Sequence, residues 1–243
     1  MAIGDFERYS VITEKNPREI VLLRGTGCKW RRCTFCDYHL DYCKDEQANF
    51  ELNKKELAKV TGRFGSLEVI NSGSFVDLDD ATMQLIGETC QLHHIHELRF
   101  ECHWIHQDAI PAMRTFFEKY KVQVRLKIGV ETFDYDFREN YLKKGLDEKD
   151  PQIIARQFQE VCLLFGLHGQ TVESMYFDIN TGLEFFQRIC INIMVENTTK
   201  IKPDPAVIAV FMHEIYPEIK DDPRIDILID NTDFGVGGEK EHA

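Results

Sequence analysis

The chain lacks the features that would tie it to a membrane or an export route. No run reaches the about 18 apolar residues that a spanning helix needs, and Met1-Ala2-Ile3-Gly4-Asp5-Phe6-Glu7 carries neither the basic nor the apolar region of a signal peptide. The expected location is therefore cytoplasmic, with no membrane partner. Basic tracts are missing too, the longest groups being Lys29-Trp30-Arg31-Arg32 and Lys143-Lys144. With 29 Lys and Arg against 41 Asp and Glu, a net charge of −12 and a pI near 5.2, phosphate backbones are not favoured. A small free substrate is expected rather than a tRNA, and the oligomeric state is left open. There is no linker and no internal repeat. At 243 residues the chain fits one α/β domain over 1–243, with a core over about 19–235 and a polar tail, 237–243, expected to be disordered.

What the chain does have is cysteine in one place. Of eight cysteines, Cys28, Cys33 and Cys36 fall within the run from Gly27 to Tyr38, spaced C-x4-C-x2-C. Thiolates gathered this closely select zinc, copper(I) or an iron-sulfur cluster. Structural zinc takes four closed ligands, whereas a 4Fe-4S cluster on three cysteines leaves one iron open to a reacting ligand. A zinc knuckle completed by Cys43 is the alternative of a different class, a binding module. The six-residue gap from Cys36 to Cys43 is wide for paired zinc ligands. Cys43, Cys90, Cys102, Cys162 and Cys190 are scattered and read as small, mostly buried residues.

Periodicity predicts alternating strands and helices, the pattern of a parallel sheet wrapped by helices. Strands are expected over 19–24, 67–70, 94–100, 122–130, 189–195 and 225–229. Helices are expected over 53–60 (capped by Asn53), 80–89 (capped by Asp79), 107–120, 135–143, 152–161, 181–188 and 205–216, with the helix over 152–161 running into apolar 162–165. Ligands of such folds sit beyond the carboxyl ends of the strands. The residues to read are then Cys28 to Cys36 after the first strand, Asn71-Ser72-Gly73-Ser74-Phe75 after the second, Glu101 and His103 after the third, and Glu131 after the fourth. Asp230, Asn231 and Asp233 follow the last. Guanine-like bases present paired N–H donors that a carboxylate accepts, which makes Asp230 or Asp233 a candidate for substrate recognition. The histidines between His93 and His106 lack a regular ligand spacing, and no second metal is expected there.

These features together resemble the radical S-adenosylmethionine (radical SAM) enzymes, whose three-cysteine loop follows the first strand of a partial (βα)6 barrel. Phe35 matches the family's aromatic residue before the last cysteine, while the first gap of four residues departs from the commoner three. The resemblance implies a 4Fe-4S cluster on Cys28, Cys33 and Cys36, and SAM bound by Phe35, Tyr38, Ser72, Gly73, Ser74, Glu101, Glu131 and Arg138. The last two belong to a stretch, from Gly129-Val130-Glu131-Thr132 to Gly145, similar to the family's Gly-Leu-Glu-Ser strand end and the helix after it. It also implies an electron donor such as flavodoxin or ferredoxin. Asn-Ser-Gly-Ser-Phe resembles members acting on 7-deazaguanines, and the short acidic chain looks like the queuine lyases, which split queuine and free 7-aminomethyl-7-deazaguanine. Under that resemblance Asp230, Asn231, Asp233 and His103 face the substrate. A radical SAM partner in tRNA 7-deazaguanine modification is the second enzyme reading.

Overall fold

The computed structural model describes residues 7–229. Asp230, Asn231, Asp233 and the tail 237–243 lie outside the described residues. One sheet of eight strands runs in sequence order. It begins with β1 (Tyr9–Ile12) antiparallel to β2 (Arg18–Leu23), followed by α1 (Glu46–Leu57) and β3 (Ser66–Asn71). Then come α2 (Asp80–Leu92), β4 (Glu97–Glu101), α3 (Ile110–Glu118), β5 (Gln123–Glu131), α4 (Pro151–Ala155) and β6 (Glu160–Phe165). The chain continues through α5 (Val172–Phe185), β7 (Arg188–Ile193), α6 (Pro205–Val210), α7 (Tyr216–Ile219) and β8 (Ile225–Leu228). From β2 to β8 every pairing is parallel.

Parallel strands added always on the same edge require crossovers of one hand, and the sheet's twist then rolls it into a half-barrel. Six inter-strand steps separate β2 from β8, about 29 Å in a flat sheet at ~4.8 Å per step. Yet Arg18 Nη2 lies 3.7 Å from Asp226 Oδ2. Only a curled sheet brings those strands together.

Alternation along the strands sorts residues between two faces. The outer face presents Leu67 and Val69, Leu98 and Phe100, and Leu126 and Ile128 to Ile86 of α2, Phe117 of α3 and Met175 of α5, forming the main core. The inner face carries charge. Glu68 accepts Arg18 Nε at 2.5 Å and also takes Lys127, while Arg99 Nε donates to Glu160 at 3.0 Å. Buried charges persist when paired in this way, and these pairs fill the barrel interior beneath the cavity.

Several predicted elements are corrected. The helix placed at 53–60 begins earlier, capped by Asp45, whose side chain accepts from the backbone N–H of Ala48. Asn53 lies buried within it, and its Nδ2 donates to the carbonyl of Arg24 at 2.9 Å while its Oδ1 accepts from the Arg24 N–H at 2.8 Å. The helix over 152–161 stops at Ala155, and 160–165 is a strand instead. β6 is buried on both faces, so it lacks the alternation that marks a half-buried strand. β1 is a four-residue edge too short to signal itself. These two strands raise the expected six to eight. The helix placed at 181–188 runs from Val172, capped by Thr171, and the one at 135–143 shrinks to a wide turn over Phe137–Tyr141. The helix over 205–216 also widens at Phe211–Ile215, just ahead of Pro217, which cannot supply an intrahelical N–H. His94 and His96 do not share a strand, since β4 starts at Glu97 and His94 turns the chain with φ of 55°. Among the described residues no helix is long and apolar enough to cross a membrane.

Candidate active site

The strands' carboxyl ends open into a cavity of about 540 Å³, lined at its mouth by Cys28, Cys33 and Cys36. The loop that carries them is held at both ends of its reach. Trp30 Nε1 donates to the carbonyl of Lys143 at 2.8 Å and Thr34 N–H to that of Leu142 at 3.0 Å, tying the loop to the segment after β5. On the other side Asn197 Nδ2 donates to the carbonyl of Phe35 at 2.7 Å, and Asp37 accepts from the N–H and hydroxyl of Thr198, each at 2.9 Å. Phe35 anchors its middle in an apolar cluster with Leu142, Leu164, Leu167, Met194 and Ile201.

Burial raises the pKa of the Cys33 thiol, with Lys144 opposing, and raises that of Cys36 to about 12, helped by the neighbouring Cys33. Metal binding would have to displace these protons, which ties affinity to pH. Among the described residues no three His, Cys, Asp or Glu side chains converge as a ligand set for a metal ion. Three thiols on one loop at one cavity are the donor set that a 4Fe-4S cluster with one open iron takes. A structural zinc ion would need a fourth ligand beside them. Cys43 is not among the residues lining this cavity, and its backbone N–H instead donates to the carbonyl of Gly25 at 3.1 Å. The donor set therefore fits a cluster rather than a four-cysteine zinc knuckle.

Ser72 and Gly73 line the cavity beside the loop, and Tyr38, 49% exposed, stands at its mouth. Gly73 is required there, because a Cβ would clash with Asp77 Oδ2 and come within 3.1 Å of the Cys28 backbone nitrogen. Ser74 is turned away and buried, its hydroxyl accepting from the His103 N–H at 2.9 Å. Glu131 faces the cavity from an irregularity at the end of β5, where pairing with β6 slips between Gly129 and Glu131. Its φ of 70° is costly for a side chain other than glycine, a kind of strain that clusters at functional sites. Glu131 Oε1 accepts from Lys144 Nζ at 2.7 Å. Burial works against the lysine's charge, but Glu131 and Cys33 outweigh it and keep the ammonium protonated.

Two expected site residues are engaged elsewhere. Arg138 is 0% exposed and donates to the carbonyls of Thr132, Leu146 and Glu148 at 3.3, 3.1 and 2.6 Å, so its guanidinium braces the segment after β5 and does not line the cavity. His103 does line the cavity but uses both ring nitrogens within the protein. Nε2 is 2.8 Å from the Lys144 carbonyl, Nδ1 accepts from the Ile105 N–H at 3.3 Å, and the ring stacks on Trp30. Burial lowers its pKa to about 4, so it stays neutral. Glu101 sits deeper, across the register from Lys127.

The residues that sequence reasoning missed are Lys144 and the inward row Lys127, Cys162, Cys190 and Asn192, all on the cavity wall. A signal for Lys127 existed: counting back by twos from Glu131 through Gly129 reaches it on the same face of β5. Lys144 offered none, because its position depends on the wide turn at Phe137–Tyr141.

No protein-family model matches the chain. Over 144 residues, 52% of the chain, it is 25% identical to an uncharacterised protein of Methanocaldococcus jannaschii, and the match spans 38% of that relative's length. A solved structure of queuine lyase from Clostridium spiroforme, bound to SAM and queuine, is similar with a TM-score of 0.90 and 40% identity, covering 96% of this chain and 100% of that one.

Proposed function

The chain belongs to the queuine lyase family of radical SAM enzymes, and we propose that it uses a 5'-deoxyadenosyl radical to cleave queuine, releasing 7-aminomethyl-7-deazaguanine for queuosine salvage. The observation that carries this reading is the cysteine loop opening on a strand-end cavity in a chain with 40% identity to the lyase over its whole length. Cys28, Cys33 and Cys36 hold a 4Fe-4S cluster that, when bound, supplies the electron for reductive cleavage of SAM. Around it, Lys144 offers an ammonium to the methionyl carboxylate of SAM. Glu131 keeps that lysine charged and accepts from the ribose. Ser72 and Gly73 present backbone and hydroxyl groups to the methionyl amino group. Phe35, Leu164 and Met194 form an apolar bed suited to the adenine, and Tyr38 covers the mouth.

The fold corresponds to a partial (βα)6 barrel made by β2 to β7, with β1 and β8 as additions at its edges, and the whole chain works as one cytoplasmic domain. Asp230, Asn231 and Asp233, beyond the end of β8, recognise the guanine-like edge of the base. Lys29, Arg31 and Arg32 are exposed on the cysteine loop of a chain whose net charge is −12. They suit an acidic electron donor such as flavodoxin or ferredoxin. The test is anaerobic incubation of reconstituted protein with SAM, dithionite and queuine, with mass spectrometry for 5'-deoxyadenosine and 7-aminomethyl-7-deazaguanine. Both products are expected. 5'-Deoxyadenosine without the deazaguanine would refute queuine as the substrate, and neither product from fully loaded protein would refute the radical chemistry.

A further inference from the structure

Among the described residues, every Asp, Glu, Lys and Arg on the cavity wall has a hydrogen-bonding or ionic partner except Glu101. Deep in the barrel Lys127 is bonded to Glu68, which also takes Arg18 at 2.5 Å. At the mouth Lys144 is bonded to Glu131 at 2.7 Å. Glu101 lies on the wall between these pairs, and the charged groups acting on it are Lys127 and Glu131 from β5, Glu68 from β3 and Lys144 from the segment after β5. From β6 the thiol of Cys162 faces it as well. Both lysines are turned to other carboxylates, Lys127 to the Glu68 it shares with Arg18 and Lys144 to Glu131. The Glu101 carboxylate makes no hydrogen bond or ion pair with another described residue.

A sheltered carboxylate without a partner is unfavourable, and burial accordingly raises its pKa. It is suited to a ligand that brings its own positive charge. Queuine does so, because the nitrogen joining the cyclopentenediol to the 7-methylene of the base is a secondary amine, protonated near neutral pH and carrying two N–H donors. We propose that Glu101 receives this ammonium, assigning the residue to the substrate and not to SAM. The proposal rests on the queuine lyase reading and deepens it. The charge-assisted pair fixes the nitrogen, and with it the carbon-nitrogen bond to be broken, at the cavity wall between the two ion pairs. Lys144 is already neutralised by Glu131, and Lys127 shares Glu68 with Arg18, whose charge Asp226 offsets in part, so the repulsion they add to the newcomer is reduced.

The test is anaerobic equilibrium binding to the SAM-loaded holoenzyme of two ligands that differ by the amine, 7-aminomethyl-7-deazaguanine and 7-methyl-7-deazaguanine. Wild type should prefer the aminomethyl compound by about tenfold or more, as expected for a hydrogen bond to a charged group. Glu101→Gln, which removes the charge at nearly constant volume, should bring the two affinities within about twofold of each other. Equal affinities in wild type would overturn the proposal without recourse to any variant. A preference retained in Glu101→Gln would overturn it as well, as would loss of SAM affinity with the preference intact, which would return Glu101 to the cofactor. Failure of wild type to bind either compound would overturn the queuine reading itself, and the proposal with it.

Discussion

The Lys144–Glu131 pair rests on Gly129, and Gly129→Ala isolates its contribution. A Cβ on Gly129 would stand 2.5 Å from Glu131 Oε1 and 2.8 Å from Lys144 Nζ, where ordinary contact begins at 3.4 Å. The carboxylate must then withdraw by about 0.9 Å and the ammonium by about 0.6 Å. Both are ends of flexible side chains, so the fold absorbs the change, and loss of glycine's freedom in the unfolded chain returns about 0.4–1 kcal/mol. Melting temperature should move by no more than about 4 °C in either direction for a chain of this size. Binding is another matter, since a hydrogen bond between charged groups contributes about 1.5–3 kcal/mol and weakens as the ammonium is displaced. SAM affinity, measured anaerobically by calorimetry on cluster-loaded protein, should fall by about tenfold or more. SAM affinity equal to wild type, with melting temperature also unchanged, would refute the placing of the methionyl carboxylate at Lys144.

The cysteines divide cleanly. Cys33→Ala should lose iron and all SAM cleavage, while Cys43→Ala should keep its iron content, and loss of metal in both would revive the four-cysteine zinc site. Arg138→Met should cost about 3 kcal/mol or more, because three carbonyls and Glu139 lose a buried guanidinium. Urea unfolding checks this, and a loss below about 1 kcal/mol would contradict the bracing role. Asp178 accepts from the Phe133 N–H at 2.6 Å and the Thr132 hydroxyl at 3.1 Å, and burial raises its pKa to about 7. The folded state therefore binds this proton more tightly than the unfolded chain, whose carboxyl titrates near about 3.9. Its contribution is fully present below about pH 4 and is lost as pH rises through about 7. The stability of Asp178→Asn relative to wild type should rise across that window, and a difference independent of pH would refute the shift.

The sequence pointed to the proposed site wherever its chemistry depends on spacing along one loop or on the last residue of a strand. Cys28, Cys33 and Cys36 share one loop by their spacing, and Glu131 is the last residue of its strand. It hid the site wherever function depends on the direction of a long side chain. Arg138 looks available seven residues beyond Glu131, but the chain curls around its guanidinium, and the carbonyls from Thr132 to Glu148 consume its donors. Lys144 looks like a solvated helix end. It reaches the cavity because the wide turn ends at Tyr141 and Lys143 takes a φ of 53°, folding the chain back across Gly129. His103 presents an imidazole at a strand end, as a ligand-binding residue would, yet its ring closes onto the Lys144 carbonyl. β6 escaped notice for a different reason, because a strand buried on both faces carries no period.

The charged inner face is better explained by the substrate than by stability. Replacing buried ion pairs with well-packed apolar groups is commonly neutral or stabilising, so Arg18, Glu68, Lys127, Arg99 and Glu160 are not the most favourable way to fill a barrel. A polar, hydrogen-bonding ligand, however, needs a cavity whose wall can satisfy it, and an apolar filling would leave its donors and acceptors unpaired. The same network fixes the open edge. Asp226 accepts from Arg188 at 3.0 Å and lies 3.7 Å from Arg18, so one carboxylate on β8 is tied both to its neighbour β7 and across the barrel to β2. Two residues later Leu228 is already part of the cavity wall. The chain thus leaves β8 from a position held on two sides, at the rim beside the site. Holding β8 matters to the site more than to the core, because the carboxylates proposed to read the base begin only four residues beyond Asp226.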